Sequence, residues 1–455
     1  MNAPAPIANP SAANPFSANA SNDASAKARF VRASRPALEV ADVLRRHGEA
    51  YRLGHPLSPE QSQVMQRLVN CRTANMGGHV DACFGCGFTR ISYNSCRDRH
   101  CPKCQGNQRA AWLETRLERL LPTTYFHVVF TVPDLLYPLM LHNQRRLYDM
   151  LFQAASATLS VLAADQNRLG AQIGVTAVLH TWGQNLLLHP HLHCVVTGGG
   201  LSMDGQRWIA GRPNFFLPVK VLAKLFRGKF LAALNAAYQG HHLTLTGSVS
   251  PLADPKAFRH LLTRLYERPW IVYAKRPFGG PQQVFRYLGR YSHRVAISNS
   301  RLLAMDDQGV SFQWKDYADG HATKVMRISA DEFLRRFMLH VLPKGFVRIR
   351  HYGLLASINV ATKLARCREM LGQAPTTAAN AEKPSKKTWI ERVLEWTGQH
   401  PLHCPRCQTP MQRWPICPEI HCKKPIHESI AQASAQDGPD SARAATETQP
   451  RRDTS

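Results

Sequence analysis

The chain is short of acidic residues and of long apolar runs, and each shortage removes a class of function. Its 31 Asp and Glu face 57 Lys and Arg, a formal net charge of +26 over 455 residues. From Ile271 to Arg301 there are six Lys or Arg and no acid, and from Phe333 to Arg366 seven and no acid. A catalytic metal site made of clustered carboxylates therefore has little to be built from near the basic core. No window approaches the roughly 18 consecutive apolar residues of a membrane-crossing helix, so no membrane partner is expected. The first 35 residues lack the charged start and apolar run of a secretory signal. They are rich in Ala, Asn, Ser and Pro and read as a disordered leader, and a cytoplasmic protein is expected. No repeat of solenoid period is visible.

What is present fits a soluble globular protein of two or three domains, with 44% apolar residues. The cationic excess supplies an electrostatic reason to bind a polyanion, nucleic acid first. A run of like charge is usually only a solvated face. Here the first run contains a tyrosine pair, which favours a substrate channel.

Periodicity and breakers divide the chain as follows. After the leader, 36–108 is read as an N-terminal module with two short amphipathic helices in Ala37–Leu68 and a cysteine-rich stretch, Cys71–Cys104. A central domain occupies 109–371. Its expected elements are a helix Arg109–Leu120, a strand Tyr125–Val132, a helix over 143–163, strands Gly174–Thr181 and His191–Thr197, helices over 218–237 and 255–267, and a strand Trp270–Ala274. Pro281 suits the first turn of a helix reaching about His293. Residues 301–330 alternate like short antiparallel strands around an Asp-Gln-Gly turn, and 331–371 reads as basic and helix-rich. A linker and helix (372–395), a second cysteine segment (396–425) and a polar tail expected to be disordered (426–455) complete an α+β chain.

Twelve cysteines in a large cytosolic chain point to zinc rather than disulfides. Cys83-x2-Cys86 and Cys101-x2-Cys104 lie 14 residues apart, close to the spacing of a zinc ribbon in which two knuckles deliver four thiolates. Those four are the expected primary structural site. Cys71, His79, Cys96 and His100 lie in the same stretch and are candidates for a second. An allocation of Cys71, His79, Cys83 and Cys86 to one ion, and of Cys96, His100, Cys101 and Cys104 to another, stays open. Cys404, Cys407, Cys417 and Cys422 could hold a further zinc. A closed four-ligand site is structural, since it leaves no position for substrate.

In His189-Pro190-His191-Leu192-His193, the two-residue period of a strand puts His191 and His193 on one face. A lone strand histidine is most often a core residue, but alternating histidines can share a divalent ion. For the third ligand His180, His189 and Gln184 are candidates, with His180 first, because a hairpin between its strand and the His191 strand would set it beside the pair. Three protein ligands leave room for water or a phosphate oxygen. Tyr287 and Tyr291, four apart, share a helix face. Such pairs are usually packing, yet Arg286, Arg290 and Arg294 repeat at the same period and make a stripe suited to phosphates. A tyrosine hydroxyl, with a pKa of about 10, needs cations or a base before it acts as a nucleophile. Lys275, on the strand before this helix, is a candidate for stabilising transition-state charge or protonating the leaving group, with a surface phosphate contact as the equal alternative.

The cysteine module ending Asn94-Ser95-Cys96-Arg97-Asp98-Arg99-His100-Cys101-Pro102-Lys103-Cys104, then His-Pro-His-Leu-His, then Tyr-x3-Tyr, resembles the two-tyrosine HUH transposases of the insertion-sequence ninety-one family over roughly 37–370. The resemblance implies an antiparallel sheet flanked by helices, the histidine strand central and the tyrosine helix beside it. It implies Mg or Mn at the histidines, although imidazoles suit zinc at least as well. It also implies partners, single-stranded transposon ends and target DNA, and a reaction through a 5′-phosphotyrosine with Tyr287 and Tyr291 as nucleophiles. A replication initiator or relaxase, and a noncatalytic zinc-dependent DNA-binding regulator, are the alternatives.

Overall fold

The computed structural model describes residues 36–212, 216–275, 280–292, 295–317, 319–373 and 387–417, without the side chains of residues 287, 288 and 290–292. The expected leader and tail, with Cys422 and Arg294, lie outside the described residues.

A five-stranded sheet forms the centre. Its strands are β1 (Tyr125–Thr131), β2 (Gly174–Trp182), β3 (Leu188–Thr197), β4 (Ile271–Lys275) and β5 (Ile349–Gly353), in the order β5-β2-β3-β1-β4. Every neighbouring pair is antiparallel. The alternation of β3 explains its place: Leu192, Cys194 and Val196 are buried on one face with Phe126, Val128 and Phe130 of β1 and Val175, Ala177 and Leu179 of β2. Helices Gln144–Ala164, Val219–Gln239 and Pro255–Glu267 cover that face. Asp254 caps the last of them, accepting from the N–H groups of Lys256 and Ala257. Gln144–Ala164 is long and apolar enough to cross a membrane, but its Leu147, Tyr148, Leu151, Phe152 and Leu159 are fully buried in this core.

The opposite face carries helices Gly106–Glu118 and Gly280–Ser292. Val284 and Phe285 of the second pack with Tyr125, Val178 and Val195 of the sheet. The two helices meet at Gly289, where a Cβ would already lie 3.5 Å from Trp112. This face also presents the histidines.

Two differences from the sequence reading concern boundaries. The stretch expected to be helix-rich contains the edge strand β5, whose pairing with β2 is a long-range contact that local composition does not encode. It ends at Gly353, with φ +58°, where a Cβ would fall 1.9 Å from the carbonyl oxygen of Ile173. The second concerns residues 36–108, of which 36–71 and 96–108 belong to the larger compact unit and 72–95 to another. Helices Val40–Gly54 and Pro59–Asn70 bury Val40, Val43, Leu44, Met65 and Leu68, with Cys71 and Cys101, in one core with Phe312, Phe333 and Phe337. Those phenylalanines belong to helix Ala330–Met338 and to the three-stranded sheet Leu302–Met305, Val310–Asp316, Ala322–Ile328. The turn expected there is present, with Asp306 Oδ1 accepting from Gln308 and Gly309 N–H at 2.9 Å.

Residues 72–95, with 402–417, make a second compact unit. It is a three-stranded antiparallel sheet with Gly78–Ala82 between Thr89–Tyr93 and Gln412–Ile416. Fully buried Asp81 accepts from Arg90 at 2.7 Å and from Arg413 at 2.6 Å, tying the two outer strands to the middle one.

Candidate metal centre and thiol clusters

The pairing register assembles the histidines. His191 and His193 project from one face of β3, and His180 of β2 stands directly opposite His191. One donor nitrogen from each of the three lies within 4.8 Å of the others. His191 Nε2 and His193 Nε2 are 3.0 Å apart. Two imidazole nitrogens bound to one ion at about 2.1 Å would be about 3.0 Å apart at a right angle, so the separation fits shared coordination. Burial holds His180 and His193 well below the usual imidazole pKa, helped by the neighbouring imidazoles, and takes His191 down to about 3. All three are neutral at pH 7, the form that ligates metal.

Tautomers are set by outer partners. His191 Nδ1–H donates to the His189 carbonyl at 2.6 Å, leaving the Nε2 lone pair for the cluster. His193 Nδ1 lies 2.8 Å from Nε2 of His127, whose ring is nearly parallel to it, 7° apart with centroids 5.1 Å apart, so the two rings meet edge to edge. His127, 4% exposed on β1, was not singled out from the sequence. Strand alternation could have placed it on a face, but only the β1–β3 register sets it beside His193. The other two candidates for third ligand are engaged elsewhere: His189 Nδ1 with Tyr137 Oη at 3.0 Å, and Gln184 Nε2, which donates to Tyr317 Oη at 3.0 Å.

Lys275, exposed at the end of β4, pairs with His127 and so shares the histidine face. Tyr287 and Tyr291 lie on helix Gly280–Ser292, three and seven positions past buried Val284, and Arg286 is exposed on it. The side chains of Tyr287, Arg290 and Tyr291 are outside the described residues.

Among the described residues, eight cysteines form two groups, neither of them the one expected. Cys83 and Cys86 do not meet Cys101 and Cys104. Instead Cys71, Cys96, Cys101 and Cys104 cluster in the first unit, and Cys83, Cys86, Cys404 and Cys407 in the second. In the first cluster Cys101 and Cys71 sulfurs are 3.6 Å apart and those of Cys96 and Cys104 3.7 Å, near the edge of about 3.8 Å for a tetrahedron with Zn–S of about 2.3 Å. Hydrogen bonds from Cys101, then Cys104 and Cys96, hold the Cys71 thiol far below its usual pKa. The sequence spacing of the two CxxC pairs was compatible with a ribbon. The fold separates them because Cys101 is buried in the core of the N-terminal helices, while Cys83 sits on the hairpin of the other unit. His100 is in neither group: its Nδ1 is 2.8 Å from Asp98 Oδ1, and its Nε2 accepts from Leu342 N–H. His79 lies on a strand, 4.0 Å from Asp81, and exposed Cys417 joins no metal-binding group among the described residues.

Three imidazoles and two groups of four thiols, each able to hold a metal ion, in a strongly basic chain suit a protein that acts on a polyanion. Comparison with known proteins makes this specific. A family model described as "Putative transposase" matches residues 174–363, and one described as "Transposase zinc-binding domain" matches residues 43–132. A Sinorhizobium fredii protein named "Putative transposase y4qJ" is 53% identical over 370 residues, 81% of this chain and 92% of its own length. The transposase for insertion sequence element IS801 of Pseudomonas savastanoi pv. phaseolicola is 29% identical over 320 residues, 69% of this chain and 74% of its own. No solved structure matches the chain. The chain belongs to the IS91 family of transposases, and it is a DNA transposase with a zinc-binding domain.

Proposed function

We propose that the protein cuts and rejoins single-stranded transposon ends by tyrosine nucleophiles, in the manner of a rolling-circle HUH transposase, in the cytoplasm where its DNA substrate lies. The observation that carries this reading is the sharing of one sheet face by the imidazole cluster and the helix of Tyr287 and Tyr291. Tyr287 and Tyr291 follow the sheet-packed Val284 by three and seven positions on that helix.

His180, His191 and His193 would hold a divalent ion, Mg or Mn by family likeness, which when bound supplies Lewis-acid polarisation of the scissile phosphate. One tyrosine loses its phenolic proton and its oxygen attacks phosphorus. The bond to the 3′-oxygen breaks, that oxygen takes up a proton, and a 5′-phosphotyrosine remains. Attack by a 3′-hydroxyl reverses the step and joins strands without an external energy source. Arg286, Arg290 and Arg294 would bind backbone phosphates, and Lys275 would stabilise charge on the departing oxygen. Two tyrosines permit two covalent ends at once. Cys71, Cys96, Cys101 and Cys104 would hold a structural zinc.

Incubating the full chain with tiled single-stranded oligonucleotides and Mg or Mn, then mapping DNA-linked residues, tests the proposal. Adducts on Tyr287 and Tyr291, lost in Tyr287→Phe/Tyr291→Phe, are expected. Adducts that persist in that variant would exclude these nucleophiles, and binding without any adduct would favour a noncatalytic regulator.

A further inference from the structure

We propose that Cys83 and Cys86 share one tetrahedral zinc ion with Cys404 and Cys407, so that a single metal site is built from two segments more than 300 positions apart in the chain. It rests on the reading of the thiol clusters as zinc sites and adds to it. The family match to a zinc-binding domain ends at residue 132 and contains neither Cys404 nor Cys407.

The two CxxC turns are built alike. Cys83 N–H donates to Phe88 O and Cys83 O accepts from Gly87 N–H; Cys404 N–H donates to Thr409 O and Cys404 O accepts from Gln408 N–H, all at 2.9 Å. The residue four past the first cysteine is left-handed in each, Gly87 at φ +70° and Gln408 at φ +61°. Glycine adopts that conformation freely, whereas glutamine does so at a cost, which a turn dictated by metal ligation would explain. Such paired knuckles aim two sulfurs each at a common centre.

The sulfurs do converge. Cys83 and Cys407 are 3.4 Å apart, Cys86 and Cys404 3.5 Å, and Cys83 and Cys86 3.8 Å, distances of tetrahedral edges and far from a disulfide of about 2.05 Å. Arg406 N–H points at Cys404 Sγ from 3.4 Å, as backbone amides do toward metal-bound thiolates. Strand pairing brings the turns together independently of any ion. Ala82, just before Cys83, lies opposite Gln412, shortly after Cys407, and Asp81 links Arg90 to Arg413 across the same strands. An all-thiolate tetrahedron selects zinc or iron, and four closing ligands make the site structural.

The test is metal content of the purified full chain, zinc and iron measured by mass spectrometry. Two zinc ions per chain are expected. Cys404→Ser/Cys407→Ser and Cys83→Ser/Cys86→Ser should each lose one, and the four-fold variant should lose no more than either pair. The zinc retained at Cys71, Cys96, Cys101 and Cys104 reports that these variants are folded, and Cys417→Ser should keep both ions. Unchanged zinc in Cys404→Ser/Cys407→Ser would overturn the shared site. So would a four-fold variant that loses twice what each pair loses, which means separate ions. Iron in place of zinc would overturn the choice of ion. A full chain without metal would instead sink the zinc reading of both clusters.

Discussion

Replacing His127 by leucine isolates the one member of the histidine cluster that ligates nothing in the proposed site. For His193 to offer its Nε2 lone pair, its proton must sit on Nδ1, and the acceptor 2.8 Å away is His127 Nε2. Leucine fills similar space but accepts no hydrogen bond. The buried Nδ1–H of His193 would then lose this acceptor, at a cost of about 1–3 kcal/mol. The ring escapes that cost by moving its proton to Nε2, the tautomer that cannot ligate. Loss of such outer partners lowers metal affinity by about 10- to 100-fold, or about 1.4–2.8 kcal/mol. Calorimetric titration of the full chain with Mn or Co should show this loss in His127→Leu, with much of it restored in His127→Gln, whose amide oxygen can accept. DNA binding without metal should stay near that of the parent. Unchanged metal affinity in His127→Leu, alongside its abolition in His193→Ala, would refute the tautomer argument.

Phe285, 1% exposed, anchors the tyrosine helix on the sheet; Phe285→Ala should cost about 3–5 kcal/mol in denaturant unfolding, and a loss under 1 kcal/mol would show that the helix is held elsewhere. Gly353→Ala combines a left-handed φ with a 1.9 Å approach to Ile173 O, so a lower melting temperature is expected, and unaltered melting would contradict the β2–β5 register. Burial takes His340 down to about 4, and His351 down to about 3 with help from Arg116. Their folded pKa values lie below the unfolded one, so stability is complete above about pH 6.5 and falls as the unfolded chain protonates, by about 1.4 kcal/mol per pH unit per histidine. Urea midpoints between pH 7 and 4.5 should show that decline; a flat profile would mean these rings charge in place. Asp81→Asn should loosen the strand pairing of the second unit, read as faster proteolysis within 402–417, and protection equal to the parent's would count against the Arg90–Asp81–Arg413 link.

Much of the site was legible because it is local. The alternation of His191, Leu192 and His193 needs only the period of a strand, and Pro281 at the start of the helix that carries Tyr287 and Tyr291 needs only that of a helix. His180 was a weaker inference, since it needed the hairpin to pair in one register, and the structure sets it opposite His191. His127 carried no local mark, because one buried histidine in Tyr-Phe-His-Val-Val looks like any core residue until β1 lies beside β3. The edge strand β5 was hidden in the same way: Ile349–Gly353 is basic and short, and only its partner β2 makes it a strand.

The cysteines divide most sharply between what a sequence holds and what a fold decides. Composition and CxxC spacing by themselves pointed to zinc ligation and to a chain basic enough to seek DNA, and the period of a strand put two histidines on one face. Which thiols meet was decided by tertiary structure alone. Ligand choice follows distance in space, and a CxxC pair has the same local geometry whether its partner lies 14 residues away or more than 300. Core burial drew Cys101 toward the N-terminal helices and strand pairing drew Cys404 to Cys83, two long-range effects that no window along the chain contains.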